Sequence, residues 1–257
     1  MDKNKSAHKL RNFGPLYIIN LDGQPERWEW MENQLKFWEV KDYERISAYD
    51  GRDDDLSEII YGQYPIITSG EIGCVTSHLK AIKKFYEETD APYAIMMEDD
   101  CDLSLVRNWP FDWDTFISKL PYDWDCVQLT VINPRKLVAN IHPRYIDDFS
   151  TACYIITRHH AQKLIKLHCR GRKYKLDNGV RPRPVADDLI YNAGRSFAIP
   201  VLLYNLSLGS TIHPDHIDVF HRAPRDSILA WWENESNKME LDKFFHWETH
   251  VLDETHS

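Results

Sequence analysis

Short apolar runs alternate with segments of helical periodicity along this chain, and that alternation restricts its fold more than any other feature. Apolar runs predict buried strands at 16–19, 43–48, 93–97, 126–130, 152–157 and 198–203. Helical patterns fall between them at 26–38, 72–87, 159–167 and 187–193. Strands that alternate with helices build a mostly parallel sheet with helices on both faces. We therefore predict a single α/β domain.

Two local signals support the predicted helices, and the chain divides simply. Pro25 stands where a first helical turn tolerates proline, and Thr68 and Glu71 have the spacing of a capping box. We expect a polar lead over 1–14, the main domain over 15–222, and a helical extension over 223–257 that packs back on the domain.

Composition excludes several classes of protein. The 257 residues carry 31 Lys and Arg against 40 Asp and Glu, a net charge of −9, which argues against a nucleic-acid binder. The longest apolar stretch, 197–204, is too short to cross a membrane, and the first residues lead into no signal-peptide core. Five cysteines without a CxxC pair suggest a reducing, cytoplasmic setting. P-loop, GxGxxG, GxSxG and HExxH motifs are all missing from the sequence.

Four acids follow the apolar run 93–97 directly: Glu98, Asp99, Asp100 and Asp102. Ligands bind beyond the carboxyl ends of strands in open α/β sheets, and residues 98, 100 and 102 would share one side if the extended chain continued. Converging carboxylates repel one another unless a cation joins them, and oxygen ligands suit Mg²⁺ or Mn²⁺ held jointly with substrate phosphates. A solvated acidic turn is the alternative.

Two other clusters offer chemistry. Asp187 and Asp188 open a predicted helix, either to satisfy its free N–H groups or to supply a general base for a hydroxyl nucleophile. Asn20, Asp22 and Arg27 follow the first strand, where Arg27 could meet a diphosphate with its planar fork and Asn20 or Asp22 could bind a base or ribose. A surface turn with an exposed Arg explains that second cluster equally well.

Three histidines are weaker candidates. His78 lies in the middle of a predicted helix, where it contacts a ligand or serves as a satisfied structural residue. His213 and His221 are candidates for a third metal ligand or a phosphate contact. Two variable loops, 52–66 and 132–149, are the expected source of an acceptor pocket.

Taken in order, these segments resemble glycosyltransferase family 25, which includes bacterial lipopolysaccharide-type transferases and the collagen galactosyltransferases. The similarity covers about residues 16–212. It rests on YIINLD at 17–22 with Pro25 and Arg27, AYDG at 48–51, GEIGC at 70–74 with Ser77 and His78, MEDD at 97–100, ACYIITR at 152–158 and the Asp pair at 187–188.

The resemblance implies a GT-A fold, a Rossmann-like sheet that binds a nucleotide sugar together with a divalent metal, Mn²⁺ or Mg²⁺. It makes Glu98 and Asp100 the equivalent of the DxD pair, with Asp102 and His213 as further metal candidates. The nucleotide-sugar set that it implies comprises Asn20, Asp22, Arg27, Asp50, Ser77, His78 and Asp99. Ala186 interrupts the family's Pro-Val-Asp spacing, so both Asp187 and Asp188 stay open as the base.

The function that follows is an inverting, metal-dependent transfer of galactose or glucose from a UDP-sugar to a hydroxyl acceptor. That acceptor would be a glycan such as lipopolysaccharide, a lipid-linked sugar or a protein; no nucleic acid and no transmembrane segment are expected. Two alternatives remain: a nucleotide-sugar phosphohydrolase that uses the same acids to activate water, and a non-catalytic module that binds nucleotide sugars or glycans.

Overall fold

The structure is a computed structural model that describes residues 4–52, 55–209 and 220–247. Its strands are β1 (Leu16–Asn20), β2 (Tyr43–Ser47), β3 (Tyr93–Glu98), β4 (Cys101–Asp102), β5 (Cys126–Gln128), β6 (His142–Pro143), β7 (Cys153–Thr157), β8 (Cys169–Arg170), β9 (Lys173–Tyr174), β10 (Ser196–Ala198) and β11 (Leu203–Tyr204). Its α-helices are α1 (Pro25–Phe37), α2 (Ser69–Glu88), α3 (Trp113–Ser118), α4 (Arg158–His168), α5 (Ala186–Tyr191), α6 (Arg222–Glu235) and α7 (Leu241–Phe244). Short 3₁₀ helices cover Ala7–Leu10, Leu56–Ile59, Leu103–Asn108, Leu206–Leu208 and Ser236–Lys238.

Seven strands form the main sheet, in the order β2-β1-β3-β7-β5-β10-β6. β1 pairs in parallel with β2 and β3, and β5 pairs in parallel with β10. β7 is inserted antiparallel between β3 and β5, and β6 lies antiparallel at the edge beside β10. Five strands thus share one direction. The predicted α/β domain with a mostly parallel, helix-flanked sheet is confirmed, and the antiparallel β7 is what the sequence pattern did not reveal.

The two faces of the sheet bury separate apolar clusters, because side chains alternate along each strand. From β3, Ile95 and Met97 enter a core that also contains Trp109 and Trp232. Ala94 and Met96 face the other way, into a core built on the helices α2, α4 and α5. The helical pattern of α2 is anchored at its start by the predicted capping box: Thr68 Oγ1 accepts from the Glu71 backbone N–H, and Glu71 accepts from the Thr68 backbone N–H.

Two strand predictions need correction. Residues 198–203 do not form one strand: β10 ends at Ala198 and β11 begins at Leu203 in a separate two-stranded sheet with β4. Pro200 lies between them, and proline interrupts a strand because it lacks the N–H that a ladder needs. Nor does the chain stay extended after Glu98. Residues 99–100 form a turn before β4, so residues 98, 100 and 102 do not line one side of a continuous strand.

The C-terminal part of the described chain packs on the sheet. The α6 residue Trp232 is fully buried, and its indole N–H donates to the Pro200 carbonyl at 2.7 Å. The ring of Trp232 also meets Phe111 and Phe244. Within the three described ranges, none of the helices has the length and apolar character needed to cross a membrane.

Candidate active site

One edge of the sheet collects the polar residues that the sequence singled out. The parallel strands β1, β2 and β3 end there, at Asn20, Ser47 and Glu98. The antiparallel β7 begins at the same edge, and the Glu98 backbone N–H donates to the Ala152 carbonyl at 2.8 Å. Two clefts open at this edge, and Cys74 and Glu98 line both of them.

The first cleft lies over the ends of β1 and β2 and spans about 590 Å³, including space open to solvent. Its floor depends on a close approach of two backbones. A Cβ on Gly51 would lie 1.9 Å from the Ser69 carbonyl oxygen, and one on Gly73 would lie 2.6 Å from the Tyr49 carbonyl oxygen. Ser77 fixes the same loop, because its Oγ accepts from the Tyr49 N–H at 2.8 Å. Ser77 therefore shapes the cleft through the 49–51 loop.

A buried polar network fills the base of the first cleft. Asp99 accepts from Arg27 Nε at 2.8 Å and from Asn20 Nδ2 at 2.6 Å, and Arg27 Nη2 also bonds to it. All three residues are buried. Burial opposes the charge on Arg27, but Asp100 and Asp99 outweigh it and raise the pKa of the guanidinium. The structure therefore brings together three residues of the predicted nucleotide-sugar set, with their charges already paired.

Asp22 and Asp50 lie on the rim. Asp22 accepts from Ser47 Oγ and Arg45 Nη2, both at 2.7 Å, and these bonds lower its pKa. Asp50 lines the first cleft and pairs with Arg52 at 2.6 Å, which lowers its pKa as well. Asp22 is not among the residues that line the cleft.

Glu98 sits at the boundary between the two clefts in a preformed hydrogen-bond network. Its Oε1 lies 3.1 Å from His78 Nε2 and accepts from Thr151 Oγ1 at 2.7 Å. Burial would raise the pKa of Glu98, but the bonds from His78 and Thr151 together with the charge of Arg27 lower it. On the far side of the imidazole, His78 Nδ1 lies 3.1 Å from the hydroxyl of Tyr154. His78 is fully buried, yet its Nε2 edge faces the cleft carboxylate.

The second cleft is larger, about 1600 Å³ including space open to solvent. The loop at 132–149 contributes Ile132, Pro134 and Phe149 to its wall, whereas none of the described residues from 52–66 lines it. That either loop binds an acceptor stays a prediction. The remaining lining residues include Glu71, Ser150, Thr151, Arg183, Tyr204 and Asn205 together with the acids Glu98, Asp100, Asp187 and Asp188.

Asp100 is the least satisfied acid of this cleft. Its Oδ2 lies 3.3 Å from Arg27 Nη2, while its buried Oδ1 has no hydrogen-bond partner among the residues that the structure describes. Burial, reinforced by the charge of Glu98, raises the pKa of Asp100 to about 7 despite the opposing charge of Arg27. A buried carboxylate oxygen without a donor is costly unless something else binds it, so its chemistry fits a bound cation.

The two acids at the start of α5 accept hydrogen bonds from different parts of the chain. Asp187 Oδ1 accepts from the Ser150 N–H at 2.6 Å, and burial raises the pKa of Asp187 while Arg144 opposes that rise. Asp188 accepts from the Arg183 N–H at 3.1 Å and is buried, which raises its pKa too. Both acids line the second cleft, and Asp188 additionally fixes the loop before the helix.

Of the other predicted metal ligands, Asp102 does not join this arrangement. Asp102 accepts from the Ser104 N–H at 2.8 Å, as the N-cap of a 3₁₀ helix, and lies 3.7 Å from Arg225 Nη2. The turn at 99–100 directs Asp102 to that pairing, and it lines neither cleft. His213 lies outside the described residues. His221 does line the second cleft, and its backbone carbonyl accepts from Tyr204 Oη.

Three residues at or beside the clefts, Cys74, Thr151 and Arg144, are not among the site residues that the sequence predicts. Cys74 and His78 are four apart on α2, so they share a helical face, and that spacing was available as a signal. Thr151 and Arg144 carried no signal, because their places depend on the antiparallel insertion of β7 and on the edge strand β6. Arg144 donates to Gln128 and Asn192, and one of its buried nitrogens, Nη2, has no partner.

The fold is an α/β sheet whose two clefts lie where the parallel strands end, and comparisons with known proteins relate part of the chain to glycosyltransferases. Residues 13–110 match the family described as glycosyltransferase family 25 (LPS biosynthesis protein). The match spans β1 to β4 and therefore the first cleft and the acid run, but not Asp187. The resemblance seen in the motifs is confirmed, and the predicted enzyme class, a glycosyltransferase, is supported with it.

Curated relatives share this similarity at low identity. The chain is 25% identical to procollagen galactosyltransferase 1-B of Xenopus laevis over 78% of its own length and 37% of that protein. It is 23% identical to procollagen galactosyltransferase 2 of Homo sapiens over 92% of its length and 41% of that protein. The chain thus spans about two fifths of the length of the curated relatives that it matches.

Proposed function

We propose that this chain is an inverting, divalent-metal-dependent glycosyltransferase that moves a hexose from a UDP-sugar to a hydroxyl acceptor. The observation that carries the proposal is Glu98, which lines both clefts beside an Asp100 oxygen to which none of the described residues donates a hydrogen bond. A donor in the first cleft and an acceptor in the second would meet at these two carboxylates. The names of the curated relatives favour galactose over glucose and a protein hydroxyl as the acceptor. The family description, which refers to LPS biosynthesis, favours a glycan or a lipid-linked sugar instead.

Glu98 and Asp100 are the residues proposed to hold Mn²⁺ or Mg²⁺. Both ions prefer carboxylate oxygens, and the unpartnered Oδ1 of Asp100 fits that preference. When bound, the ion neutralises negative charge on the leaving diphosphate. Asp102 is left out of this set because Ser104 and Arg225 already use its carboxylate.

The donor's nucleotide is assigned to the first cleft. Arg27 lies between Asp99 and Asp100, so its charge stands next to the place proposed for the diphosphate. Its Nη1 donates to the Gly209 carbonyl at 3.1 Å, which ties the C-cap of the 3₁₀ helix Leu206–Leu208 to the same arginine. Asp50 and the backbone of the 49–51 loop would contact the base or the ribose from the rim.

Asp187 is proposed as the general base. Its carboxylate takes the proton from the acceptor hydroxyl while that oxygen forms a bond to the anomeric carbon. The bond from that carbon to the diphosphate breaks on the opposite side, and UDP leaves with the electron pair, so the configuration inverts. The Ser150 N–H fixes one oxygen of Asp187, and the charge of Arg144 favours the ionised form. Asp188 is the second choice because Arg183 already engages it.

A product-resolved screen tests the proposal. The chain is incubated with UDP-galactose, UDP-glucose and other nucleotide sugars, with and without Mn²⁺ and with a panel of hydroxyl acceptors. We expect metal-dependent release of UDP, highest with a galactose donor, and slow formation of free sugar when water is the only acceptor. Release of UMP and sugar phosphate would instead identify a phosphohydrolase. UDP binding without turnover on any acceptor would identify a binding module.

A further inference from the structure

A cysteine, a histidine and a glutamate converge at the boundary between the clefts. Cys74 and His78 lie one turn apart on α2, and Glu98 ends β3 opposite them. One ligand atom from each of the three lies within 4.8 Å of the others, and His78 Nε2 is already 3.1 Å from Glu98 Oε1. Cys74 and Glu98 are partly exposed to the clefts, so an ion has a way in.

We propose that Cys74, His78 and Glu98 form a site for Zn²⁺ or a similar borderline-soft cation. Thiolate, imidazole and carboxylate are the three ligand types that zinc takes in proteins, at about 2.0–2.3 Å. Tetrahedral geometry at those bond lengths separates neighbouring ligand atoms by roughly 3.3–3.8 Å. The separation of His78 Nε2 and Glu98 Oε1, 3.1 Å, is already close to that range, and all three ligand atoms lie within 4.8 Å of one another. The fourth position would face the clefts and take water or a phosphate oxygen.

The surroundings hold these side chains in the orientation that a metal needs. The Tyr154 hydroxyl contacts His78 Nδ1, so the imidazole can carry its proton there and offer the Nε2 lone pair to the ion. Partners of this kind fix the tautomer and the ring direction at metal sites. Thr151 Oγ1 holds Glu98 in the same way. When zinc binds, the Cys74 thiol releases its proton to solvent and the resulting thiolate bonds to the ion.

The site has a regulatory consequence, which rests on the proposed function. Zinc at this site competes for the Glu98 carboxylate with Mn²⁺ or Mg²⁺ held beside Asp100. Zinc binds nitrogen and sulfur ligands more tightly than manganese does, and thiolate favours it further. Zinc therefore displaces the hard cation from Glu98, and we expect it to inhibit transfer.

Cobalt absorption tests the site without any need for turnover. Co²⁺ is added to the metal-free 257-residue chain, and the near-ultraviolet band of thiolate-to-cobalt charge transfer is recorded. We expect this band in the unmodified chain and in Cys169→Ser, whose thiol lies on the β8 hairpin, but not in Cys74→Ser. His78→Gln should weaken cobalt affinity at least ten-fold, since even an outer partner of a metal ligand is worth that much. No band in the unmodified chain, or one that survives Cys74→Ser, overturns the proposal.

A second measurement avoids substitutions altogether. Zn²⁺ should slow iodoacetamide labelling of Cys74 at least ten-fold, as read by peptide mass spectrometry, while labelling of Cys169 stays unchanged. Equal labelling with and without zinc overturns the site. If cobalt and zinc bind as expected but no nucleotide sugar is turned over, the zinc site stands and the proposed function fails. If turnover is found and neither ion binds at Cys74, the reverse holds.

Discussion

The two clefts differ in how their charges are paired, although both border Glu98. In the first cleft, Asp99 is bonded by Arg27 and Asn20, and the rim acids Asp22 and Asp50 each have an arginine. Among the described residues, the second cleft keeps an oxygen without a hydrogen-bond partner on Asp100. Arg144, whose charge acts on Asp187 of that cleft, likewise has a buried nitrogen without a described partner.

Burial in the second cleft raises the pKa of Asp100, Asp187 and Asp188, whereas the bonds from Arg52 lower the pKa of Asp50 in the first cleft. We interpret the first cleft as a framework whose charges are already paired, and the second as a site where a ligand would pair the remaining charge. Groups with perturbed pKa values concentrate at functional sites, which agrees with that division.

The largest expected effect comes from removing acids of the second cleft. Asp187→Ala should lower kcat by about 10²–10⁴, the contribution typical of a general base, and Asp100→Ala should abolish metal-dependent UDP release. Steady-state assays with UDP-galactose and UDP-glucose measure both, and circular dichroism confirms folding. Asp114→Asn, an exposed acid bonded to Asn12, is the matched control. Near-normal turnover in either alanine variant removes that acid from its assigned role.

Breaking the pairing of the first cleft should cost stability. Arg27→Met leaves Asp99 charged and buried, and removal of one partner of a buried ion pair costs about 3–5 kcal/mol. The side chains of Arg27 and Asp99 are each 8% exposed. Arg135→Met, which removes an arginine that is 78% exposed from its pair with Asp147, should cost at most about 1 kcal/mol. Urea denaturation at pH 7 measures the loss of stability in both variants. Equal losses would show that the buried ion pair does not stabilise the first cleft.

The fold was accessible to sequence reasoning where local physics decides it. The strand–helix unit at 16–38 and the capping box at Thr68 were predicted because apolar periodicity and cap chemistry act within a few residues. The turn after Glu98 was not predicted, since strand alternation gives no account of where pairing with β11 begins. Asp102 was therefore assigned to the metal set, while the structure uses it to cap a 3₁₀ helix.

The second cleft lay largely beyond sequence reasoning. The Ser150 N–H reaches Asp187 across 37 residues, and Thr151 reaches Glu98 across 53. Both contacts exist because β7 enters antiparallel beside β3, a pairing that no local pattern encodes. The acids themselves were visible in the sequence. The N–H and hydroxyl groups that donate to them, and the arginine whose charge lowers the pKa of Asp187, were not.

Substitution of the adjacent acids Asp99 and Asp100 should change the free energy of unfolding in opposite directions. The pKa of Asp100 is raised to about 7 in the folded chain, so the folded state binds more protons than the unfolded state between about pH 4 and 7. Stability from this group is therefore present at low pH and declines as the pH rises through 7. In metal-free protein at pH 8, Asp100→Asn should raise the free energy of unfolding by about 1–3 kcal/mol, whereas Asp99→Asn should lower it.

The stability of the same two variants should depend on pH in different ways, which compares the two clefts. The gain from Asp100→Asn should vanish by about pH 4, where the wild-type carboxyl is protonated in both states. Urea denaturation with a chelator at pH 4, 6 and 8 follows it. Destabilisation by both substitutions at pH 8 would show that Asp100 is satisfied in the apo protein, and the contrast between the clefts would not hold.

The smallest effect tests how Arg144 acts on Asp187. Burial raises the pKa of Asp187 and the charge of Arg144 opposes it, so Arg144→Met should raise that pKa further. A base with a raised pKa loses its ionised form at higher pH, and the acidic limb of kcat/KM against pH should move upward. One pKa unit corresponds to about ten-fold lower activity on that limb, with little change above it. Arg144→Lys keeps the charge and should keep the limb.

The lysine variant separates charge from packing, because the Arg144 guanidinium also lies 4.6 Å from the centre of the Tyr191 ring. If Arg144 only supports Tyr191, both variants should lower the melting temperature and kcat at every pH alike, and the limb should stay in place. A shift in Arg144→Met alone would show that the second cleft holds its base ready through an arginine that the sequence pattern never marked.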